Sequence, residues 1–218
     1  KKQAFFYEQH LSELFSNMKK EGWTAGLVRR AVDVFLRELP QNEAFIYQKN
    51  NKFGKKGEPK TAKVLDITEK MERLKAAADL YPKFQYQLER KGRYEYEDML
   101  LWVLKAFETH EALLRQYQER CQYILVDEYQ DTNGAQNQLI GQLINFWEAP
   151  NVFIVGDDDQ SIYEFQGARL RNLIEFYHKH QPALLTVLLE TNYRSSQNIL
   201  DAASRLIAHN EMRAVMLL

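Results

Sequence analysis

The sequence has little cysteine and no long apolar run, and each absence excludes a class of protein. Cys121 is the only cysteine among 218 residues, so neither a disulfide framework nor a cysteine-based zinc site can form within the chain. A single free thiol fits a reducing compartment, and we expect a cytoplasmic protein. No apolar stretch approaches the roughly 20 residues that a membrane-spanning helix needs. We therefore expect no membrane partner.

An overall positive charge, typical of nucleic-acid-binding domains, is also absent, because the net charge is −1. The charges are nevertheless unevenly distributed. Residues 1–100 hold 20 Lys and Arg against 15 Asp and Glu, whereas residues 101–218 hold 9 against 15. The basic half could contact a polyanion and the acidic half could hold metal and phosphate chemistry. On charge alone, an uneven solvated surface is the simpler explanation.

The first hundred residues have the pattern of helices. Apolar residues at helical spacing predict a helix that stops near Gly22, followed by a second that Thr24 caps. Residues 49–63 contain six lysines, two glycines and a proline, which predicts an exposed loop. That loop is either a solubilising linker or a contact for a phosphate backbone. Further helices are predicted near residues 67–86 and 97–107.

The pattern changes at Tyr123. Three short apolar runs, Tyr123–Val126, Val152–Val155 and Leu184–Leu189, alternate with helical segments near residues 139–147 and 170–180. This alternation predicts an α/β fold in which parallel strands are joined by crossover helices. Ligand chemistry in such folds lies at the carboxyl ends of the strands.

The first apolar run leads directly into Asp127 and Glu128. A carboxylate at this position can bind Mg²⁺, largely through water, and a second carboxylate can take a proton from an attacking water molecule. Taken alone, the pair could equally be a strand that leaves the core into an acidic surface.

Polar and aromatic residues follow the other two runs. Gln160 could contact a γ-phosphate without adding charge, and Tyr163 and Phe165 would share one side of an extended loop, where bases could stack on them. Arg194 precedes a predicted helix with Ser195 or Ser196 as its cap, and its guanidinium could contact phosphate. Taken singly, these features also suit core aromatics and a surface arginine. Asp127, Gln160 and Arg194 are spaced by 33 and 34 residues, however, each after an apolar run.

Three of these segments together resemble a known family. Residues 124–132 (ILVDEYQDT), 155–168 (VGDDDQSIYEFQGA) and 189–200 (LETNYRSSQNIL) resemble motifs II, III and IV of the UvrD/Rep group of superfamily 1 DNA helicases. Residues 94–101 (YEYEDMLL) resemble the short aromatic-acidic motif that precedes motif II. The strong match covers about residues 94–210.

The resemblance implies roles for matching residues at an ATP site. Asp127 would hold Mg²⁺ together with ATP, and Glu128, also close to the metal, would be the catalytic base. Gln160 would sense the γ-phosphate. Arg194 would contact the γ-phosphate in the cleft between two RecA-like domains.

The resemblance also implies contacts with single-stranded DNA. Tyr163 and Phe165 would line the base pockets, and Tyr96 lies where the family often has a phenylalanine near the DNA. This chain has Gln166 where the family usually has an arginine that links the nucleotide and DNA sites. Glutamine carries no charge, so it cannot supply the charge of that arginine.

The sequence lacks the phosphate-binding pattern GxxxxGK[ST], and the family's motifs V and VI are absent as well. The resemblance therefore implies an internal section of a helicase. Residues 1–93 would be the helical inserted subdomain, 94–190 the later part of the first RecA-like domain, and 191–218 the start of the second. We expect a 3′-to-5′ parent that acts on single-stranded DNA or a single-strand/duplex junction, and a section that is inactive by itself.

Two other interpretations remain. The chain could be a natural nucleic-acid-binding or scaffold module without ATPase activity, or an unrelated magnesium phosphohydrolase. Retention of Asp127, Glu128, Gln160 and Arg194 favours the helicase. Without the phosphate-loop strand, one edge of Val152–Val155 would lack its neighbour. We expect Leu184–Leu189 to pair there directly, a second molecule to supply the strand as an oligomer, or the segment to be poorly ordered.

Overall fold

The computed structural model describes residue 5 and residues 7–50, 52–160, 170–181 and 183–209. The chain divides into two compact units, Lys1–Leu101 and Trp102–Leu218. The predicted functional boundaries at residues 93 and 190 stay predictions. Within the described residues, no helix is long and apolar enough to cross a membrane.

The first unit is built from helices packed around an apolar core. Helix α1 spans Glu8–Lys20, α2 spans Ala25–Glu38, α3 spans Thr61–Ala78 and α4 spans Tyr81–Arg90. Helix α5, Tyr96–Thr109, begins at the end of this unit. The buried core consists of Phe15, Met18, Val28, Val32, Ala78 and Tyr81.

The helix boundaries have local chemical causes. Gly22 adopts φ +65° after α1, a conformation that glycine reaches without strain. The Thr24 side chain accepts a hydrogen bond from the Leu27 amide at 3.1 Å, so the predicted cap is confirmed. The single helix predicted near residues 67–86 is wrong, because the chain breaks between α3 and α4. Pro82 lies in the first turn of α4, where its missing N–H costs nothing, whereas inside one long helix it would remove a hydrogen bond.

The lysine-rich segment outside the helices is a folded loop. Ile46 and Pro59 form an isolated antiparallel bridge, and the Tyr47 amide donates to the Glu58 carbonyl at 2.9 Å. Gly57, with φ +90°, turns the chain between them. Helix α3 begins directly after this loop, at Thr61.

The second unit combines helices with a small parallel sheet. Helix α6 spans Glu111–Arg120, strand β1 Ile124–Val126, helix α7 Gly134–Ile144, strand β2 Val152–Ile154, helix α8 Leu170–His180 and helix α9 Gln197–Ile207. In the described part of the chain the sheet has two strands, and these pair in parallel with Ile124 opposite Val152. The predicted α/β class with parallel strands is confirmed.

The sheet alternates between a packed and an exposed face. Ile124, Val126, Val152 and Ile154 pack against a cluster formed by Tyr129, Ile144 and Phe176. Leu125 and Phe153, on the other face, are 75% and 62% exposed. Within this unit, the strands therefore have the period-two pattern of a sheet that is covered on one face. They do not have the pattern of strands that are buried on both faces.

The third predicted strand, Leu184–Leu189, is wrong. Leu184 packs against the cluster on the covered face, but the rest of the run lies outside the sheet, and Leu185 and Leu189 are 87% and 85% exposed. A strand needs a neighbour for its backbone N–H and C=O groups, and none of the described residues supplies one. The oligomer predicted from the sheet edge stays a prediction.

Candidate active site

The carboxylates predicted at the end of β1 lie on a strained turn. Glu128 has φ 49° and ψ 46°, and it is the one non-glycine residue with positive φ among those described. A left-handed conformation costs an ordinary residue roughly 1–3 kcal/mol and is maintained only by its surroundings. Asp127 and Glu128 are both exposed, and Asp127 Oδ1 accepts from the Glu128 amide at 2.9 Å.

Tyr129, directly after Glu128, anchors this turn in the core. Its side chain is fully buried, its amide donates to the Val155 carbonyl at 2.9 Å, and its hydroxyl donates to Asn137 Oδ1. Burial, with a smaller contribution from the negative charge of Glu175, raises the pKa of Tyr129 to about 12. The phenol is therefore neutral near pH 7 and acts as an anchor.

Gln130 connects the ends of the two strands. It is 1% exposed, its Nε2 donates to Glu128 Oε2 at 2.7 Å, and its Oε1 accepts from the Asp157 amide at 3.0 Å. A Cβ atom on Gly156 would lie only 2.8 Å from Gln130 Oε1, so the glycine leaves room for the amide. Sequence reasoning missed Gln130. The available signal was an amide side chain close behind a carboxylate pair at a strand end.

The turn after β2 is organised by Asp157. Its Oδ1 accepts from the Asp159 amide at 3.0 Å, and its Oδ2 accepts from Gln160 Nε2 at 2.6 Å. The Gln160 amide also donates to the Asp157 carbonyl at 3.1 Å. The candidate phosphate sensor is thus held against the turn by one carboxylate.

A cavity of about 430 Å³ opens beside the β1 turn. The residues that line it come from β1, the following turn and α7, namely Val126, Asp127, Glu128, Asp131, Thr132, Gln136, Leu139 and Ile140. Asp131 Oδ1 is buried and has no hydrogen-bond partner in the described part of the chain. An unsatisfied carboxylate oxygen is costly to bury, so a hydrated cation or a water molecule at this spot would stabilise it.

The carboxylates at this cavity fit magnesium better than a metal held mainly by protein ligands. Among the described residues, no group of three or more His, Cys, Asp or Glu side chains could enclose a metal ion. Mg²⁺ retains several waters and usually binds through one or two carboxylates together with substrate phosphates. Asp127 and Glu128 meet that requirement.

Arg194 lies outside this cavity. It is exposed, and its amide and the Ser195 amide both donate to Asn192 Oδ1 at 2.9 Å. Ser196 occupies the cap position of α9, as predicted, but its side chain accepts no hydrogen bond there. Asn192 therefore organises the segment that carries Arg194.

Tyr96 is the first residue of α5, in the other unit, and it is 81% exposed. Asp98, two residues further on, is buried and binds Lys19 Nζ at 2.7 Å and Gln85 Nε2 at 3.0 Å. Burial acts to raise the pKa of Asp98, but hydrogen bonds from the Gln85 side chain, the Glu95 amide and Lys19 outweigh it, so the pKa is lowered. This network fixes the start of the helix that presents Tyr96.

The remaining candidates, Tyr163, Phe165 and Gln166, lie outside the described residues. The structure brings Asp127 and Glu128 to one cavity and joins Glu128 to the turn of Gln160 through Gln130. These positions are those of the helicase motifs II and III that the sequence resembles.

Comparison with known proteins decides the family. The family model described as the UvrD/REP helicase N-terminal domain matches residues 4–181. The chain belongs to this family. It is 41% identical over 136 residues to the ATP-dependent DNA helicase PcrA of Leuconostoc citreum, and 43% and 41% identical over the same length to the PcrA helicases of Staphylococcus epidermidis and Staphylococcus aureus. Each match covers 62% of this chain and 18% of the relative.

Membership of the UvrD/REP family confirms the resemblance drawn from the motifs. The matched residues include the whole of β1, β2 and the turns that follow them. Family membership by itself does not assign a role to each side chain. The geometry of the cavity indicates which side chains to consider.

Proposed function

We propose that this chain is the section of an ATP-dependent DNA helicase that carries the metal and base side of the ATP site. The observation that carries the proposal is the pair of exposed carboxylates on the strained turn after β1, at the rim of a cavity of about 430 Å³. Family membership and the PcrA relatives, which are described as ATP-dependent DNA helicases, support it.

Each residue then has a defined task. Asp127 and Glu128 hold Mg²⁺, which when bound neutralises charge on the ATP phosphates. Glu128 also accepts a proton from the attacking water, for which an exposed carboxylate at the cavity rim is suitably placed. Gln160 senses the γ-phosphate, and Arg194 contacts it when the second RecA-like domain approaches.

The DNA contacts belong to the same proposal. Tyr96, Tyr163 and Phe165 provide aromatic faces for bases of a single strand or a single-strand/duplex junction, with translocation in the 3′-to-5′ direction. The exposed position of Tyr96 at the start of α5 supports its role. With the uncharged Gln166 in the motif, we expect weaker coupling between DNA and nucleotide than an arginine would provide.

The proposed organisation assigns residues 1–93 to an inserted helical subdomain, 94–190 to the first RecA-like domain and 191–218 to the start of the second. The all-helical build of the first unit and the parallel pair β1–β2 in the second support this assignment. The cytoplasm is the proposed location.

Substitution of Glu128 tests the enzymatic role. In the helicase that contains this chain, Glu128→Gln should retain ATP binding and lower hydrolysis at least about 100-fold, since general-base catalysis contributes roughly 10²–10⁴-fold. Glu119→Gln is the control, because Glu119 is an exposed glutamate in the same unit that does not line the cavity. Undiminished hydrolysis by Glu128→Gln would refute the assignment.

The 218-residue chain by itself should not hydrolyse ATP. The sequence has no GxxxxGK[ST] pattern, so the backbone amides and the lysine that hold the phosphates are missing. The expectation would be contradicted if the purified chain hydrolysed ATP, if DNA stimulated that hydrolysis, and if Glu128→Gln abolished it.

A further inference from the structure

Hydrogen bonds link Glu128 to Gln160 across the ends of both strands, with Asp157 contributing its backbone amide to one bond and its side chain to the next. Glu128 Oε2 accepts from Gln130 Nε2 at 2.7 Å, and Gln130 Oε1 accepts from the Asp157 amide at 3.0 Å. Asp157 Oδ2 in turn accepts from Gln160 Nε2 at 2.6 Å. We call these four residues the strand-end relay.

The chemistry of the partners fixes the orientation of the central amide. The Asp157 amide can only donate, so it requires the carbonyl oxygen of Gln130. An ionised Glu128 can only accept, so it requires the Gln130 NH₂ group. No other side chain of this length offers an acceptor to one partner and a donor to the other without a net charge.

Burial makes this arrangement rigid. Gln130 is 1% exposed, so water cannot readily replace either partner. Gly156 leaves the space that the amide occupies, since a Cβ atom there would lie 2.8 Å from Gln130 Oε1. The relay thus depends on a glycine at the end of β2 as well as on the glutamine after β1.

We propose that Gln130 is a positioning residue that couples the orientation of the Glu128 carboxylate to the conformation of the Asp157–Gln160 turn. The proposal rests on the proposed function, because it gives Glu128 and Gln160 the roles of base and γ-phosphate sensor. If Gln160 released Asp157 in order to bind a phosphate, the conformation of the turn would change. The Asp157 backbone amide would transmit that change to Gln130. The base would then be oriented according to the state of the sensor.

Two substitutions separate the two ends of the amide. Gln130→Met preserves chain length and removes both hydrogen bonds. Gln130→Glu retains an acceptor for the Asp157 amide but places a second carboxylate against Glu128. Gln118→Met is the matched control, because Gln118 is another buried glutamine of the same unit, whose Nε2 donates to the Gln142 carbonyl at 2.7 Å, away from the relay.

The first measurement is amide hydrogen exchange in the 218-residue chain. Gln130→Met should accelerate exchange at the Asp157 amide about tenfold relative to Gln118→Met, as expected for loss of one hydrogen bond. Gln130→Glu should leave that amide protected. Equal protection of Asp157 in Gln130→Met and Gln118→Met would overturn the relay, whatever the enzyme does.

The second measurement is ATP turnover by the helicase that contains this chain. Gln130→Met and Gln130→Glu should both lower kcat by about 10–100-fold, the scale expected for a misplaced catalytic group, with little change in KM for ATP. In a Glu128→Gln background, Gln130→Met should cause no further loss. If Glu128→Gln abolishes hydrolysis while Gln130→Met behaves like Gln118→Met, the relay is wrong and the proposed function stands. If Glu128→Gln leaves hydrolysis intact, both are wrong.

Discussion

His180, the last residue of α8, is a single side chain that makes the stability of the second unit depend on pH. Its Nε2 is buried without a hydrogen-bond partner among the described residues, and its ring lies 4.5 Å from that of Phe176. Burial, assisted by the positive charge of Lys179, lowers the pKa of His180. The folded state therefore favours the neutral imidazole. The resulting stability is present above the ordinary histidine pKa and is lost as the pH falls through the lowered value.

We therefore expect His180→Leu to reduce the pH dependence of stability. Between about pH 7.5 and pH 5, the Tm of the unsubstituted chain should fall more steeply than that of the variant, because the unfolded histidine takes up a proton that the folded one resists. Thermal melts across this range provide the measurement. His178→Leu, at an exposed position on the same helix, should retain the original slope. Parallel curves for His180→Leu and the unsubstituted chain would contradict the prediction.

At the scale of elements, a buried ion pair joins α1 to α5. Lys19 is fully buried and binds Asp98 Oδ2 at 2.7 Å, with Glu95 as a second partner. Removing one partner of a buried pair leaves an uncompensated charge and typically costs about 3–5 kcal/mol. Since Tyr96 starts the same helix as Asp98, the pair also sets the position of a proposed DNA contact.

A double-mutant cycle tests this pair. Lys19→Met should lower the free energy of unfolding by about 3–5 kcal/mol, and the double variant Lys19→Met/Asp98→Asn should lose less than the sum of the single losses by at least about 1 kcal/mol. Lys75→Met is the control, because Lys75 also contacts two carboxylates but lies nearer the surface, where solvent screens such pairs and their loss has little effect on stability. Additive losses in denaturant titrations would show that the pair is not coupled.

Elements were predictable from sequence where local chemistry decides them. The cap at Thr24 follows from a side chain at the helix boundary, and the span of α8 follows from apolar residues at helical spacing. The strand predicted at Leu184–Leu189 failed because β-structure depends on a neighbouring strand that local patterning cannot supply. Pro82 is a local signal for the break between α3 and α4. The prediction of one long helix missed it because that prediction relied on apolar periodicity alone.

The candidate site divides in the same way. Asp127, Glu128 and Gln160 could be selected because each follows an apolar run, and the carboxyl ends of parallel strands meet at one edge. Lys19 could not be selected, because its importance lies in Asp98, a partner that is distant in sequence. Gln130 offered only its position close behind the carboxylate pair, since its second partner, the Asp157 amide, is also distant in sequence. Hydrogen bonds between residues that are distant in sequence produce no periodic pattern in the sequence.

At the scale of the whole molecule, charge separates along the division into units. The first unit, Lys1–Leu101, carries the 20 basic and 15 acidic residues of the first hundred positions, because Leu101 is neutral, and the second unit carries the acidic excess. The basic excess suits contact with a phosphate backbone, whereas the acidic excess accompanies the carboxylates at the cavity. The lysine-rich loop of the first unit, residues 49–63, is therefore the part of the chain where the proposed DNA binding can be tested by removing positive charge alone.

Lys55 and Lys56 are suited to that test because their backbone, not their side chains, holds the loop. The Lys55 amide donates to Glu58 Oε2 and the Lys56 amide to Asn50 Oδ1, each at 2.8 Å. Replacing both lysines with alanine removes two charges and preserves these hydrogen bonds. If both contact phosphate, the slope of log K against log salt for a single-stranded oligonucleotide should become shallower by about 1.4, at roughly 0.7 per contact.

Fluorescence anisotropy with a labelled oligothymidine, from about 50 to 200 mM salt, measures that slope. Lys70→Ala/Lys83→Ala is the charge-matched control, because both lysines are exposed on α3 and α4 outside the loop. Tyr96→Ala should weaken binding by about 1–3 kcal/mol at every salt concentration without changing the slope, since stacking releases no counterions. An unchanged slope for Lys55→Ala/Lys56→Ala would make the loop a linker. A slope that both lysine pairs lower equally would mean that binding responds to net charge alone.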